Sequence, residues 1–126
     1  MISVVIPTIG SKHLNKTLDL LFKQTIRPHE VILVVPKEYE KKINIAANNK
    51  NILIIFTDKK GQVYQRSIGF KKSKYEYVIQ LDDDIFLTDI NLISELIKKL
   101  VMLGDNSVIA PVIKEINKKN FKYGIF

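Results

Sequence analysis

The sequence predicts an α/β fold: a mostly parallel β-sheet with helices on both faces, in a single domain over residues 1–126. Three observations predict it. Apolar runs of strand length recur along the chain, and most close at a proline or an aspartate. The segments between them place apolar residues at helical spacing. Strand-like and helix-like segments alternate from end to end, the pattern of a parallel sheet built from crossover units.

The elements follow in order. Ile2 to Ile6 is an apolar run ended by Pro7, as expected of a strand buried on both faces. Ser11 can cap a helix whose Leu14, Leu18, Leu21 and Phe22 share one face, with Arg27-Pro28 expected to end it. Val31 to Val35 is a second buried strand closed by Pro36. Lys37 to Asn49 is polar, with Ile43 and Ala46-Ala47 offering a weak helical face. Ile52 to Phe56 is a third strand. Gly61 opens a helix with Val63, Ser67 and Phe70 spaced for one face. Tyr77 to Leu81 is the fourth strand. Asp89 can cap a helix burying Leu92, Ile93, Leu96, Ile97 and Leu100, which Gly104 stops. Val108-Ile109-Ala110 is a fifth strand broken at Pro111, and Asn117 to Phe126 has no clean period.

Composition narrows the function classes. The chain has 126 residues, 46% of them hydrophobic, enough for one real core. No apolar run approaches the roughly 20 residues of a membrane span. Met1 to Pro7 lacks the leading positive charge of a signal peptide and reads as the first strand. The absence of cysteine excludes thiolate metal sites and fits a reducing compartment, so a cytoplasmic location is expected. The net charge is +7, carried mostly by lysine pairs such as Lys41-Lys42 and Lys59-Lys60. The pairs lie on several elements without interleaved aromatic residues, which argues against nucleic acid as the partner. Anionic lipid head groups or phosphorylated substrates suit this charge better, and peripheral attachment to a membrane is expected with them.

Asp82, Asp83 and Asp84 follow the fourth strand directly. Three adjacent carboxylates repel one another. A hard divalent cation relieves the repulsion and gives a diphosphate something to bind. Alone, such a triplet is more often a solvated acidic turn with a helix cap in it. In an open α/β sheet, however, ligands bind beyond the carboxyl ends of the strands. Thr8, Pro36, Asp58 and the aspartate triplet therefore share one rim. No G-x-G-x-x-G follows the first strand and no P-loop motif exists, so phosphates must be held in another way.

Four stretches carry a resemblance. They are Val4-Val5-Ile6-Pro7-Thr8; Phe22-Lys23-Gln24-Thr25 followed by Glu30-Val31-Ile32; Gly61 to Phe70 around Arg66; and Tyr75 to Asp84. In this order and spacing they resemble the opening half of a family 2 glycosyltransferase of the GT-A fold, a Rossmann-like nucleotide-diphospho-sugar transferase. The resemblance spans roughly Ser3 to Phe86. It implies a nucleoside-diphosphate sugar donor, a UDP-sugar first, with Mn²⁺ or Mg²⁺ as cofactor and a polysaccharide, other carbohydrate or lipid-linked acceptor. Matched residue by residue, Asp82 to Asp84 covers the family's D-x-D motif. Asp84 would be the direct metal ligand, and Asp82 would face the ribose or the metal's water shell. Asp83, Thr8 and Arg66 would join the donor site, with Thr8 against base or ribose.

The chain departs from the family at three points. The carboxylate expected after the second strand is absent from Val34-Val35-Pro36-Lys37-Glu38, and Asp58 is the available substitute. Ile9-Gly10 replaces the usual aromatic and asparagine, and Ser67 replaces the asparagine after Arg66. Beyond Val108 the one carboxylate is Glu115, in a stretch unlike the family's base region, so no catalytic base is identified. The chain is accordingly expected to be a C-terminally truncated donor-binding half, with apolar surface that favours self-association. Two other readings stand beside it. One is a non-catalytic module of the same fold that binds nucleotide, carbohydrate or a partner. The other, a sugar-1-phosphate nucleotidyltransferase, is disfavoured because Pro7 to Lys12 makes a poor phosphate loop.

Overall fold

The computed structural model describes residues 1–45 and 49–113. It contains four strands: β1 (Ile2–Pro7), β2 (Glu30–Pro36), β3 (Ile52–Thr57) and β4 (Tyr77–Gln80). Three α-helices connect and flank them: α1 (Leu14–Phe22), α2 (Gln62–Lys72) and α3 (Leu92–Leu103). A short 3₁₀ helix, Lys37–Lys42, follows β2. The strands form one parallel sheet in the order β3-β2-β1-β4. The predicted mostly parallel sheet with helices on both faces is therefore present.

The two central strands explain the continuous apolar runs. Every residue of β1 and β2 is buried, so both faces must be apolar. Ile2, Val4 and Ile6 of β1, with Val31, Leu33 and Val35 of β2, face a core completed by Leu14, Leu18 and Leu21 of α1 and Ile93 of α3. Val5, Ile32 and Val34 face the other way, toward Ile68 of α2. Burying each such side chain contributes about 2 kcal/mol.

Helix α2 approaches this second face through Gly69. A Cβ built there would lie 2.3 Å from Val5 Cγ1 and 3.0 Å from Val34 Cγ2. The absent side chain is what lets the helix settle on the sheet. The helix face predicted from Val63, Ser67 and Phe70 is the wrong one. Val63 is 82% exposed and Phe70 57%, and the buried positions are Gln65 and Gly69. The hydrophobic period misled because the contact is made by a glycine and a polar residue.

Other boundaries shift. α1 ends at Phe22, well before Arg27-Pro28. Ser11 accepts a hydrogen bond from the His13 amide in the turn ahead of α1 rather than capping the helix. Asp89 likewise accepts from the Asn91 amide, and α3 begins at Leu92. Val108-Ile109-Ala110 is not a strand, and Val108 is 92% exposed. An apolar triplet becomes a strand only where a neighbour offers a hydrogen-bonding edge, and none pairs with it among the described residues. Ala46-Ala47, Glu115 and the stretch Asn117 to Phe126 lie outside the described residues. No helix among the described residues is long and apolar enough to cross a membrane.

Candidate active site

The strand order places a topological switch point between β1 and β4. From β1 the chain passes through α1 to β2 on one side, and from β3 it returns through α2 to β4 on the other. A crevice therefore opens at the carboxyl ends of β1 and β4, where such sheets bind ligands. Thr8 stands on one wall and Asp82, Asp83 and Asp84 on the other.

Thr8 is buried, and its amide donates to Val34 O at 3.1 Å. Its hydroxyl donates to Asp83 Oδ2 and accepts from the Gly10 amide at 3.0 Å. The two walls are thus joined across the crevice by one hydroxyl. Asp82 is engaged by α2: Arg66 forms an ion pair with Oδ1, and Gln62 Nε2 donates to the same oxygen at 3.1 Å. Asp84 is exposed and has no hydrogen-bond or ion-pair partner among the described residues.

The aspartate loop is fastened from below by α1 and the turn after it. Thr17 Oγ1 donates to Asp83 O at 2.9 Å. Buried Gln24 donates through Nε2 to Asp89 O at 2.7 Å and accepts at Oε1 from the Ile93 amide at 3.1 Å. The Thr25 amide donates to Ile90 O at 2.8 Å. Each satisfies a backbone group that a loop beside the core would otherwise leave unpaired. Gln65, 3% exposed, spans the β1–β2 seam, donating to Val34 O at 2.7 Å and Thr8 O at 3.3 Å.

Of the residues predicted from sequence, Thr8, Arg66, Asp82, Asp83 and Asp84 come together. Asp58 does not. It follows β3, at the opposite edge of the sheet from β4. Three strand spacings, about 14 Å, separate those edges. The sequence reading missed Gln62, Gln65 and Thr17. The signal for Gln65 was present: it sits four residues before Gly69, hence on the helix face that touches the sheet.

The donor set suits a hard cation of a particular kind. Among the described residues no three His, Cys, Asp or Glu side chains group into a metal cage. What remains is Asp84, plus the Asp82 oxygen not held by Arg66 and Gln62. One or two carboxylates is what Mg²⁺ or Mn²⁺ uses when phosphate oxygens complete its coordination. The residues therefore fit a cation that arrives with a diphosphate.

Comparison with known proteins places the fold in a family. The sequence profile of glycosyl transferase family 2 matches residues 3–125. A search among curated proteins finds no match. Among solved structures, the chain is similar to Staphylococcus aureus TarS residues 1–349, with a TM-score of 0.62 and 20% identity, covering 90% of this chain and 40% of that one. The same TarS fragment in complex with UDP-GlcNAc aligns with a TM-score of 0.60 and 16% identity, covering 88% of this chain and 37% of that one. The chain thus spans well under half of these TarS structures, and at this identity the likeness is one of fold. The profile covers nearly the whole chain, and the chain belongs to glycosyl transferase family 2.

Proposed function

We propose that this chain is the donor-binding half of a metal-dependent glycosyltransferase that uses a nucleoside-diphosphate sugar. The observation that carries the reading is the β1–β4 switch point, where the Thr8–Asp83 bridge is followed directly by Asp84, exposed and without a hydrogen-bond or ion-pair partner among the described residues. The TarS relative bound to UDP-GlcNAc supports a uridine diphosphate sugar as the first donor to test. A carbohydrate or lipid-linked acceptor at the cytoplasmic face of a membrane belongs to the same reading.

Asp84 and Asp82 would hold Mn²⁺ or Mg²⁺. When bound, the cation offsets charge on the departing diphosphate, stabilising the transition state. The chain's own residues do the positioning. Arg66 and Gln62 aim Asp82, Thr8 aims Asp83, and Thr17 and Gln24 hold the loop that carries them.

Isothermal titration of UDP and UDP-sugars in Mn²⁺ tests the reading. Saturable binding that Asp84→Asn abolishes supports it. The absence of binding by every nucleoside diphosphate in wild type sinks it. A second reading, binding without turnover, is favoured by the internal partners that Asp82 and Asp83 already have. Tight nucleotide binding with neither sugar transfer nor hydrolysis, in a longer chain as well, selects it over the first.

A further inference from the structure

The rim has a second pole. Tyr39 and Lys42 lie in the 3₁₀ helix after β2, and Lys60 follows β3. Lys60 Nζ donates to the Tyr39 hydroxyl at 3.0 Å. The Lys42 and Lys60 ammonium groups lie 5.2 and 5.1 Å from the centre of the same tyrosine ring. Each is close enough for attraction to the ring. Together they are like charges gathered at one side chain. Glu38 and Glu40 share the 3₁₀ helix and Asp58 precedes Lys59. None of these carboxylates forms an ion pair with Lys42 or Lys60 among the described residues. The hydrogen bond to Tyr39 raises the Lys60 pKa above its ordinary value, and the charge of Glu38 adds in the same direction.

Backbone packing ties this corner to the crevice. Gly10 adopts φ 85°, a left-handed conformation suited to glycine. A Cβ there would lie 2.7 Å from Lys42 Cβ and 3.0 Å from Lys42 O. The loop after β1, which carries Thr8, therefore packs directly on Lys42. The rim is acidic at the β1–β4 gap and cationic at the β2–β3 gap, about 10 Å away at two strand spacings.

We propose that Tyr39, Lys42 and Lys60 form an anion-binding site on the β2–β3 side of the rim, taking a phosphate or carboxylate group of a small-molecule ligand. The site offers two ammonium groups beside one half-buried ring, whose hydroxyl accepts from Lys60, with Glu38 close enough to act on Lys60 without forming an ion pair. An oxyanion between them relieves their repulsion and gains charge-assisted hydrogen bonds. The site stands apart from the aspartates and needs no metal.

The test is a ¹H–¹⁵N titration of the full chain in EDTA, replacing sodium chloride with sodium phosphate or sodium acetate at constant ionic strength. Saturable shifts confined to Gly10, residues 37–42 and residues 59–61 are expected with one or both anions, and the effective anion identifies the group recognised. The Lys42→Met, Lys60→Met double variant weakens binding on the order of tenfold or more, and Lys42→Arg, Lys60→Arg retains it. Both lysines are exposed, and a dispersed spectrum verifies the fold of each variant. Asp84→Asn binds the anion as wild type does, so failure here and failure of the donor reading are separable. Linear shifts with both anions, shifts spread over all lysine pairs, or unchanged affinity in the methionine variant overturn the proposal.

Discussion

Neighbouring aspartates in one triplet have different tasks, and the difference lies in their partners. Asp83 receives the Thr8 hydroxyl, Asp82 receives Arg66 and Gln62, and Asp84 faces solvent. Thr8→Val keeps the shape but removes the donor, leaving Asp83 and the Gly10 amide short of a partner. A hydrogen bond to a charged group is worth about 1.5–3 kcal/mol, and partial exposure places the expected loss near the lower end. Asp84→Asn removes no contact, so stability stays within about 0.5 kcal/mol, with any gain coming from relief of repulsion. Urea unfolding of both variants checks this. Equal destabilisation by the two substitutions would show that Asp84 is held by the fold rather than free for a ligand.

The elements show which parts of the pattern were legible in the sequence. The central strands could be read because β1 and β2 are buried on both faces, and this writes itself as uninterrupted valine and isoleucine. The Gln24-Thr25 and Glu30 positions were recognisable as motif, but their task is structural. Gln24 and Thr25 hold the aspartate loop, while Glu30 accepts from Ser3 Oγ at 2.6 Å and from the Lys74 amide at 2.7 Å, fixing the turn into β4. The α2 face was not legible, because periodicity counts apolar residues and this contact uses Gly69 and Gln65. Val108 to Ala110 failed for the complementary reason: strand propensity cannot supply a partner. The α2 geometry makes a direct prediction. Gly69→Val places methyl groups inside Val5 and should cost roughly 2 kcal/mol or more, lowering Tm by about 10 °C. Phe70→Ser, on the exposed face, should change stability by less than about 0.5 kcal/mol. Thermal unfolding followed by circular dichroism compares them. A larger loss for Phe70→Ser would mean that α2 is rotated about its axis.

At the scale of the molecule, the sheet order does more than the triplet itself. Three carboxylates after any strand would be an acidic turn; after β4, beside β1, they line the gap where the order of the described strands reverses. What the gap lacks is equally informative. Among the described residues, the carboxylate oxygens open to a cation at this gap are those of Asp84 and the Asp82 oxygen not held by Arg66 and Gln62, a set that phosphate oxygens would complete. Metal and nucleotide should therefore bind as a linked pair. Mn²⁺ alone at millimolar concentration should leave Tm nearly unchanged, and a nucleoside diphosphate in EDTA should do the same. At tenfold excess of both over the Kd of the pair, stability should rise by about 1.4 kcal/mol, a Tm shift of roughly 5 °C for a domain of this size. Linkage is reciprocal, so nucleotide must tighten Mn²⁺ by the same factor that Mn²⁺ tightens nucleotide. A full matrix of the two ligands, read by calorimetry, measures both factors. Strong binding of Mn²⁺ by the bare protein contradicts a site that needs phosphate oxygens to be complete, and simple additivity of the two ligands would place them in separate sites.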